Sequence, residues 1–236
     1  MKILSFESSA VSAAVCLTDG QKLVAASFQN CGLTHSRTLL PMAEQLLDNV
    51  GLTPRELDGF AVAAGPGSFT GIRIGVATVK GLSFGTDKPC VGVSTLEAMA
   101  YNLIGMTGTV SCVMDARAGQ VYNARFRLNG TGAPERLTPD RALTIAALGE
   151  EIAQNGEILV GDGAHLCYTK LTQTCPHLVL APAHLVYPSA YGVAMAALPR
   201  FLAGETQTAQ QLDAVYLRKP QAEQMRDRQK NGGNVK

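Results

Sequence analysis

The stretch AAGPGSFTGIRIGVATVKGL, residues 63–82, limits what this chain can fold into more than any other part of it. The apolar run at 60–64 predicts a buried strand, and the tripeptide GPG predicts a turn directly after it. Ser68 then suits the N-cap of a helix over residues 68–85, because its hydroxyl can accept a hydrogen bond from a first-turn amide. The sequence therefore predicts a strand, a tight turn and a long helix in direct succession.

The predicted helix carries glycines on one face. At about 100° per residue, its small positions form one stripe, and its branched aliphatic residues form a second stripe beside it. The first stripe is Gly71, Gly75, Thr78, Leu82 and Gly85, and the second is Ile72, Val76 and Val79. Because a glycine inside a helix costs roughly 0.5–1 kcal/mol relative to alanine, we expect an offsetting gain, namely the close approach of another backbone.

Two interpretations of this glycine stripe stay open. The helix packs closely on the chain's own sheet, or it meets a helix of another chain, which is the interpretation that we favour. The interface predicted in this way consists of Ser68, Gly71, Ile72, Gly75, Val76, Thr78, Val79 and Leu82. Because a two-fold contact is self-complementary, one surface can serve both a homodimer and a heterodimer with a related chain. We expect a Gly75→Leu chain to lose both partners and to stay folded.

The remaining periodicity predicts a mixed α/β chain. Three short β-rich runs at the start are joined by a polar ESS turn and by the hairpin signal Asp19-Gly20. Predicted strands lie at 2–7, 11–17, 22–28 and 60–64, and predicted helices at 35–49, 52–57 and 68–85, in an order that reads βββαβα. The second half has predicted strands at 110–114, 121–128, 158–160, 178–180 and 214–217, and predicted helices at 94–101, 143–154, after 163 and at 189–202.

Composition narrows the class of protein. With 236 residues, of which 46% are hydrophobic and 17% charged, the chain is long enough for one large globular domain or two small ones. The net charge of +1 gives no nucleic-acid signature, although the tail at 218–236 has six basic and two acidic residues. This tail either touches phosphates of a nucleic acid or is a frayed end. Without a C-x-x-C pair, a signal peptide or a run of ~18 apolar residues, we expect a soluble cytoplasmic chain with no membrane contact.

No stretch matches a catalytic motif. The GPGS turn lacks the lysine of a Walker phosphate-binding loop. His35 opens a predicted helix, but Leu39 stands where a second ligand on the same face would be, so we expect no metal site. Pro66 and Thr70 replace the two glycines of a nucleophile elbow around Ser68, which argues against a serine peptidase.

Polar turns after predicted strands are the remaining candidates for a binding site. The ESS turn at 7–9 can offer amides and hydroxyls to a phosphate, or it is an ordinary tight turn. Asp115 can act as a base, or it shapes a hairpin turn. The GDG turn at 161–163 can face an adenosine, or it joins a strand to a helix without any ligand. The candidate residues are Glu7, Ser8, Ser9, Asp115, Gly161 and Gly163.

Taken together, these motifs resemble one known family. ESS after the first strand, THSRTLLP at the first helix, AAGPGSFTGIRIG, MDARAGQVYNA and LVGDGA are similar to the TsaB (YeaZ) family, from residue 1 to about 218. The resemblance implies an α/β, two-lobed fold like those of actin, Hsp70 and sugar kinases, with an RNase H-like βββαβα unit in each lobe. We accordingly expect an N-terminal lobe at 1–105, a C-terminal lobe at 106–217 and a flexible basic tail at 218–236.

The resemblance also implies a function. The TsaB family takes part in the bacterial synthesis of threonylcarbamoyladenosine beside the anticodon of tRNA, as the non-catalytic partner that supports the TsaD transferase together with the TsaE ATPase. It implies a homodimer when the chain is alone and contact with tRNA through the complex. No cofactor is implied for the chain alone, and ATP or ADP is left as a ligand at an interface of the complex.

Two positions depart from the active relatives of this fold. The transferase's metal histidines lie four apart on a helix, whereas here His35 is followed by Leu39. Active members of the wider fold carry an aspartate in the first-strand loop, whereas here the residue is Glu7. The nucleotide site around Glu7 and Asp115 is therefore expected to be vestigial. The alternative is an active ATP-dependent phosphotransferase of the same fold, with Glu7, Asp115 and Gly163 in its site.

Overall fold

The structure is a computed structural model that describes residues 1–152 and 156–218. Its first sheet has five strands in the order β3-β2-β1-β4-β5. These strands are β1 (Lys2–Glu7), β2 (Ala13–Asp19), β3 (Lys22–Gln29), β4 (Gly59–Gly65) and β5 (Cys90–Ser94). The pairs β1–β2 and β2–β3 are antiparallel, whereas β4 runs parallel to both β1 and β5. The carboxyl ends of β1 and β4 therefore lie at the same edge.

Helices cover both faces of the first sheet. On one face lie α1 (His35–Val50) and α2 (Phe69–Thr86), and on the other lie α3 (Thr95–Tyr101) and α6 (Ala190–Leu202). Leu4 and Val62 belong to the core under α1 and α2, whereas Ile3 and Ala61 belong to the core under α6. Burial on both faces explains why β4 is an unbroken apolar run rather than an alternating one.

The second sheet repeats the topology of the first. Its order is β11-β10-β6-β7-β8, with β9 also paired to β7. The strands are β6 (Thr107–Asp115), β7 (Gln120–Asn129), β8 (Glu135–Arg136), β9 (Arg141–Thr144), β10 (Glu157–Val160) and β11 (Val179–Leu180), and the helices of this half are α4 (Ile145–Ile152) and α5 (Ala164–Leu171). Each sheet thus has an antiparallel start followed by parallel strands, which confirms the predicted α/β class with two RNase H-like units.

A segment without regular secondary structure, residues 204–218, connects α6 to the rest of the molecule. Its Gln207 pairs with Cys90 of β5, and its Leu212 is buried in the core under α1 and α2. The amide of Val215 donates to the carbonyl of Ala64, with 2.7 Å between nitrogen and oxygen. Arg218 Nη1 donates to the Ala116 carbonyl of the second half at 3.1 Å. The segment therefore contacts both halves.

The structure confirms one of the detailed sequence predictions and contradicts others. The Ser68 cap is confirmed, because its hydroxyl accepts from the Gly71 amide at 3.3 Å. The predicted helix at 143–154 is partly wrong: β9 takes up 141–144, α4 follows it, and residues 153–155 lie outside the described part of the chain. The predicted strand at 214–217 is wrong, although the Val215 amide still bonds to β4.

The helix predicted at 52–57 is only a 3-10 turn, Pro54–Glu56, and three short strands, β5, β8 and β9, were missed. The lobe boundaries near 105 and 217 stay predictions. The tail beyond residue 218 lies outside the described residues. None of the helices in residues 1–152 and 156–218 combines the length and the apolar character that a transmembrane span requires.

Candidate functional site

A cleft of ≈ 950 Å³ lies between the two halves, at the carboxyl ends of their central strands. The first half supplies the turn after β1 and the starts of α1 and α2. The second half supplies the loop after β6, with Asp115 and Arg117, and the turn after β10, with Asp162. Tyr216 and Arg218 of the C-terminal segment complete the lining. Open α/β sheets bind ligands at this kind of crevice, which makes the cleft the candidate site.

The turn after β1 uses its polar groups internally. Glu7 is fully buried, and its Oε1 accepts hydrogen bonds from both the amide and the hydroxyl of Ser9, the amide at 2.6 Å. The carbonyl of Ser9 accepts from the Ser68 amide at 2.7 Å, and the Ser8 hydroxyl donates to the Gly71 carbonyl at 2.9 Å. The start of α2 therefore closes over this turn.

The inner glycines of α2 permit this closure. A Cβ atom on Gly71 would lie 2.0 Å from the Ser8 carbonyl oxygen, and one on Gly75 would lie 2.4 Å from the Ser8 hydroxyl. Only glycine fits at either position. The close backbone approach inferred from the sequence thus exists, but it is to the chain's own first turn. Leucine at position 75 would collide with this turn and with Val62, so the structure argues against the expectation that a Gly75→Leu chain keeps its fold.

The other predicted interface residues divide by burial. Ile72, Val76 and Val79 are buried in the core under α1 and α2, whereas Ser68, Thr78 and Leu82 keep some exposure. The outward side of α2, here called the outer face, carries Thr70, Arg73, Ala77, Gly81, Phe84 and Gly85. Phe84 is 75% exposed, and nothing lies within 4 Å of a Cβ built on Gly81 or Gly85. That α2 meets a partner chain stays a prediction, and the outer face is the part that a partner can reach.

The candidate residues of the second half come together at the end of β6. Asp162 Oδ1 accepts from the Asp115 amide at 3.2 Å, and a Cβ on Gly163 would lie 3.0 Å from that amide nitrogen. Gly161, at φ +116°, packs so that its Cβ would lie 2.0 Å from the Val113 carbonyl oxygen. Close packing on β6 thus accounts for both glycines without a ligand.

Burial raises the pKa values of two carboxyl groups of this region toward neutral pH. Burial raises the pKa of Glu7 to about 7; the hydrogen bonds from Ser9 oppose the shift, and the negative charge of Asp162 adds to it. Burial likewise raises the pKa of Asp162 to about 6, against the lowering effect of the hydrogen bond from the Asp115 amide. Each group therefore holds a proton at a pH where an exposed carboxyl has lost it.

The start of α1 is also occupied by internal contacts. His35 Nε2 lies 2.8 Å from the Ala10 carbonyl oxygen, and Leu39 is buried in the core. Within residues 1–152 and 156–218, no three His, Cys, Asp or Glu side chains converge as metal ligands would.

Sequence reasoning missed one cluster at the mouth of the cleft. Arg73 stacks on Phe69, with its guanidinium carbon 3.8 Å from the ring centroid, and its Nε donates to the Tyr216 hydroxyl at 2.9 Å. Phe69 and Arg73 are four residues apart on α2, which is a detectable spacing. Tyr216 comes from the far end of the chain, and no local pattern reveals that contact.

Comparisons with known proteins place this geometry in a family. The family model of TsaD, tRNA N6-adenosine threonylcarbamoyltransferase, matches residues 29–223. The chain is 32% identical over 223 residues to the tRNA threonylcarbamoyladenosine biosynthesis protein TsaB of Escherichia coli K12, covering 92% of this chain and 95% of that protein. The chain belongs to the TsaB family. Its place is therefore in the biosynthesis of threonylcarbamoyladenosine in tRNA.

Solved structures agree with this assignment to the TsaB family. A Pseudomonas aeruginosa protein with similarity to peptidase YeaZ superposes with a TM-score of 0.78 at 26% identity, covering 92% of this chain and 99% of that one. The activator of 2-hydroxyisocaproyl-CoA dehydratase from Clostridium difficile superposes with a TM-score of 0.50 at 12% identity, over 87% of this chain and 96% of that one. The second likeness shows the fold alone.

Proposed function

We propose that this chain is the non-catalytic subunit that supports a TsaD transferase, together with a TsaE ATPase, when threonylcarbamoyl is transferred to the adenosine beside the anticodon of tRNA. The TsaB family membership supports the pathway. The match to a TsaD family model supports a partner built on the same fold.

The observation that carries the non-catalytic role is the closed turn after β1. In a working phosphotransferase of this architecture, that turn must offer free amides or hydroxyls to a phosphate. Here the Ser9 amide is bonded to Glu7, and the Ser8 hydroxyl is bonded to α2. The carboxyl of Glu7 is buried beneath both, where it does not line the cleft. The chain therefore keeps the scaffold of the fold and fills its phosphate position with its own side chains.

The outer face of α2 is the surface that we assign to the partner. It combines an exposed phenylalanine with alanine and glycine, so a second helix can approach closely and bury apolar area. A paralogous transferase would present an equivalent helix, and a two-fold contact is self-complementary. The same face would then form a homodimer when the chain is alone, and the two assemblies would compete.

Reconstitution tests the proposed function. Purified TsaD, TsaE, threonylcarbamoyl donor and tRNA are combined with and without this chain, and modified adenosine is measured. We expect modification only when the chain is present, and no ATP hydrolysis by the chain alone. ATP hydrolysis or phosphoryl transfer by the chain alone would favour the phosphotransferase alternative. Full modification without the chain would contradict the supporting role.

A further inference from the structure

The proposed supporting role leaves the lining of the cleft unused. Four aromatic rings line the cleft, those of Phe69, Tyr122, Tyr187 and Tyr216, and they come from four separate parts of the chain. The volume of this cleft, ≈ 950 Å³, is large enough for a small-molecule-sized ligand group. A planar ring system is the kind of ligand that such walls can hold by stacking.

The mouth of the cleft adds positive charge to the aromatic rings. Arg73 lies over Phe69 and is hydrogen-bonded to Tyr216, so both its guanidinium plane and the two rings are fixed in place. The Phe69 and Tyr216 ring centroids are 4.9 Å apart, and Tyr216 is 38% exposed. On the opposite lip, the side chain of Arg117 is 81% exposed. Arg117 lines the cleft itself, whereas Arg73 lies beside it and contacts Phe69 and Tyr216 of the lining.

Two carboxylates line the same cleft. Asp115 and Asp162 each accept a hydrogen bond from a backbone amide of the second half. Asp115 is also paired with Arg117, whose Nη1 lies 3.2 Å from its Oδ2. Carboxylates are acceptors, so Asp162 favours a ligand that presents N–H donors, whereas the exposed Arg117 suits a negative charge. The ligand that fits has an aromatic ring with an amino group and, near Arg117, a negative charge.

We propose that the cleft binds one unpaired nucleotide of an RNA, with an amino-bearing base between the two halves and its phosphates beside Arg117. The inference rests on the proposed function, since the RNA is the tRNA that the complex modifies. Unpaired RNA bases are recognised by stacking on aromatic and arginine side chains, with hydrogen bonds to their edges. Stacking of one base on an aromatic side chain contributes on the scale of a tenfold change in affinity or more.

A free nucleoside triphosphate fits this cleft less well than an RNA does. The turn after β1, where such a ligand would place its phosphates, has its amide and hydroxyl groups bonded within the chain. The side chain of Arg117 is instead 81% exposed, so a phosphodiester that runs along the surface can reach it, whereas a compact triphosphate inside the cleft would face Asp162.

Binding of two decamers that differ in one group per base tests this inference. Fluorescently labelled single-stranded rC10 and rU10 are titrated with the full chain; cytosine has an amino group where uracil has a carbonyl. We expect rC10 to bind about tenfold more tightly, because the exocyclic amino group of cytosine donates to a cleft carboxylate where uracil presents a carbonyl oxygen. The basic tail beyond residue 218 acts equally on both decamers, so it does not create the difference.

Two variants locate the binding site. Tyr216→Leu removes a ring of the mouth, and Arg117→Gln removes a cation; we expect each to weaken rC10 binding about tenfold. Arg127→Gln is the matched control, since Arg127 is also an exposed arginine paired with a carboxylate, Glu135, and does not line the cleft. Thermal melting of every variant checks the fold. Equal binding of rC10 and rU10, unchanged rC10 binding by both variants, or displacement of rC10 by equimolar ATP would each overturn the inference.

Failure of this inference is distinguishable from failure of the proposed function. Sedimentation of Arg117→Gln mixed with TsaD reports partner binding, because Arg117 belongs to the second half, whereas Tyr216 contacts Phe69 and Arg73 of α2 and is left out of this measurement. Intact TsaD binding with RNA binding that ignores the cleft would overturn only the RNA site. Absence of TsaD binding by the unaltered chain would overturn the proposed function itself.

Discussion

Glycine occurs on both faces of α2, the inner face that packs on the chain's own sheet and the outer face, for opposite reasons. On the inner face, Gly71 and Gly75 lie where a single added carbon would collide with the turn after β1. On the outer face, Gly81 and Gly85 have open space around them. The fold requires the inner pair, whereas the outer pair only lowers helix stability unless something outside the chain needs it. A stripe of small residues on a helix therefore indicates that another backbone comes close, but it does not show whether that backbone belongs to the same chain or to a partner.

The largest effect is expected from the inner face. Gly71→Val places branched carbons against the Ser8 carbonyl, a backbone group that cannot move aside without opening the turn, so we expect a loss of about 4 kcal/mol or more in the free energy of unfolding. Urea denaturation followed by circular dichroism measures it. Gly85→Val is the matched control, with a cost below about 1 kcal/mol. Similar losses for the two variants would abolish the distinction between the faces.

Glu7, buried beside this inner contact, is expected to make stability depend on pH. The ordinary pKa of 4.5 is raised to about 7 in the folded chain, so the folded state binds more protons than the unfolded state between these values. Stability therefore falls as pH rises through this window, and it stays lower above about pH 7. Glu7→Gln removes the titrating group. We expect its stability relative to the parent to increase by up to about 3 kcal/mol from pH 4.5 to pH 8.

Urea denaturation of both chains across this pH range makes the measurement. Glu135→Gln, which removes an exposed carboxyl of the second half, is the control and is expected to show no comparable gain. A Glu7→Gln chain whose stability followed the parent at every pH would mean that the Glu7 carboxyl is not held in its neutral form by burial.

A bulky residue on the outer face is expected to act on association and not on folding. Gly81→Leu fills open space, so the monomer should unfold at the same urea concentration as the parent or a higher one. Because leucine would separate the two helices of the proposed interface, we expect homodimer and TsaD binding to weaken at least about tenfold. Sedimentation of the variant, alone and mixed with TsaD, measures both. Unchanged association would move the partner surface away from α2.

The smallest effect is expected from Gly81→Ala. Alanine is a better helix former than glycine by about 1 kcal/mol, and no neighbour opposes the added methyl group. We expect the melting temperature of the monomer to rise by about 2–4 °C. The same substitution at Gly75 should lower it, since that methyl group would meet the Ser8 hydroxyl. A rise for both alanine variants would show that the inner face has room to spare.

Local patterns predicted the parts of the fold that depend on neighbours in sequence. The Ser68 cap, the hairpin at Gly20 and the apolar strand β4 each follow from a few adjacent residues. The missed strands β5, β8 and β9 are short, and two of them pair with β7 rather than standing out as hydrophobic runs. Their pairing partners, not their composition, make them strands.

The candidate site was harder to predict than the fold, because its contacts span long stretches of chain. Gly71 is recognisable as a constrained position, but the atom that constrains it belongs to Ser8, 63 residues away. Asp115 and Asp162 were found as separate turns, and only the parallel pairing of β6 with β10 brings them together. The stack of Arg73 with Tyr216 joins positions 143 residues apart. No periodicity in the sequence encodes such contacts.

The position of α6 has a consequence for how a ribosome can produce this protein. The helix covers the face of the first sheet formed by residues such as Ile3, Ala61 and Val91, yet it is translated about a hundred residues after β5. While the second half is being synthesised, only α3 lies on that apolar face, and the area that α6 later covers is open to other chains. Nascent chains in this state are prone to aggregate, so the first half depends on chaperones or on fast translation until residue 202 has left the exit tunnel.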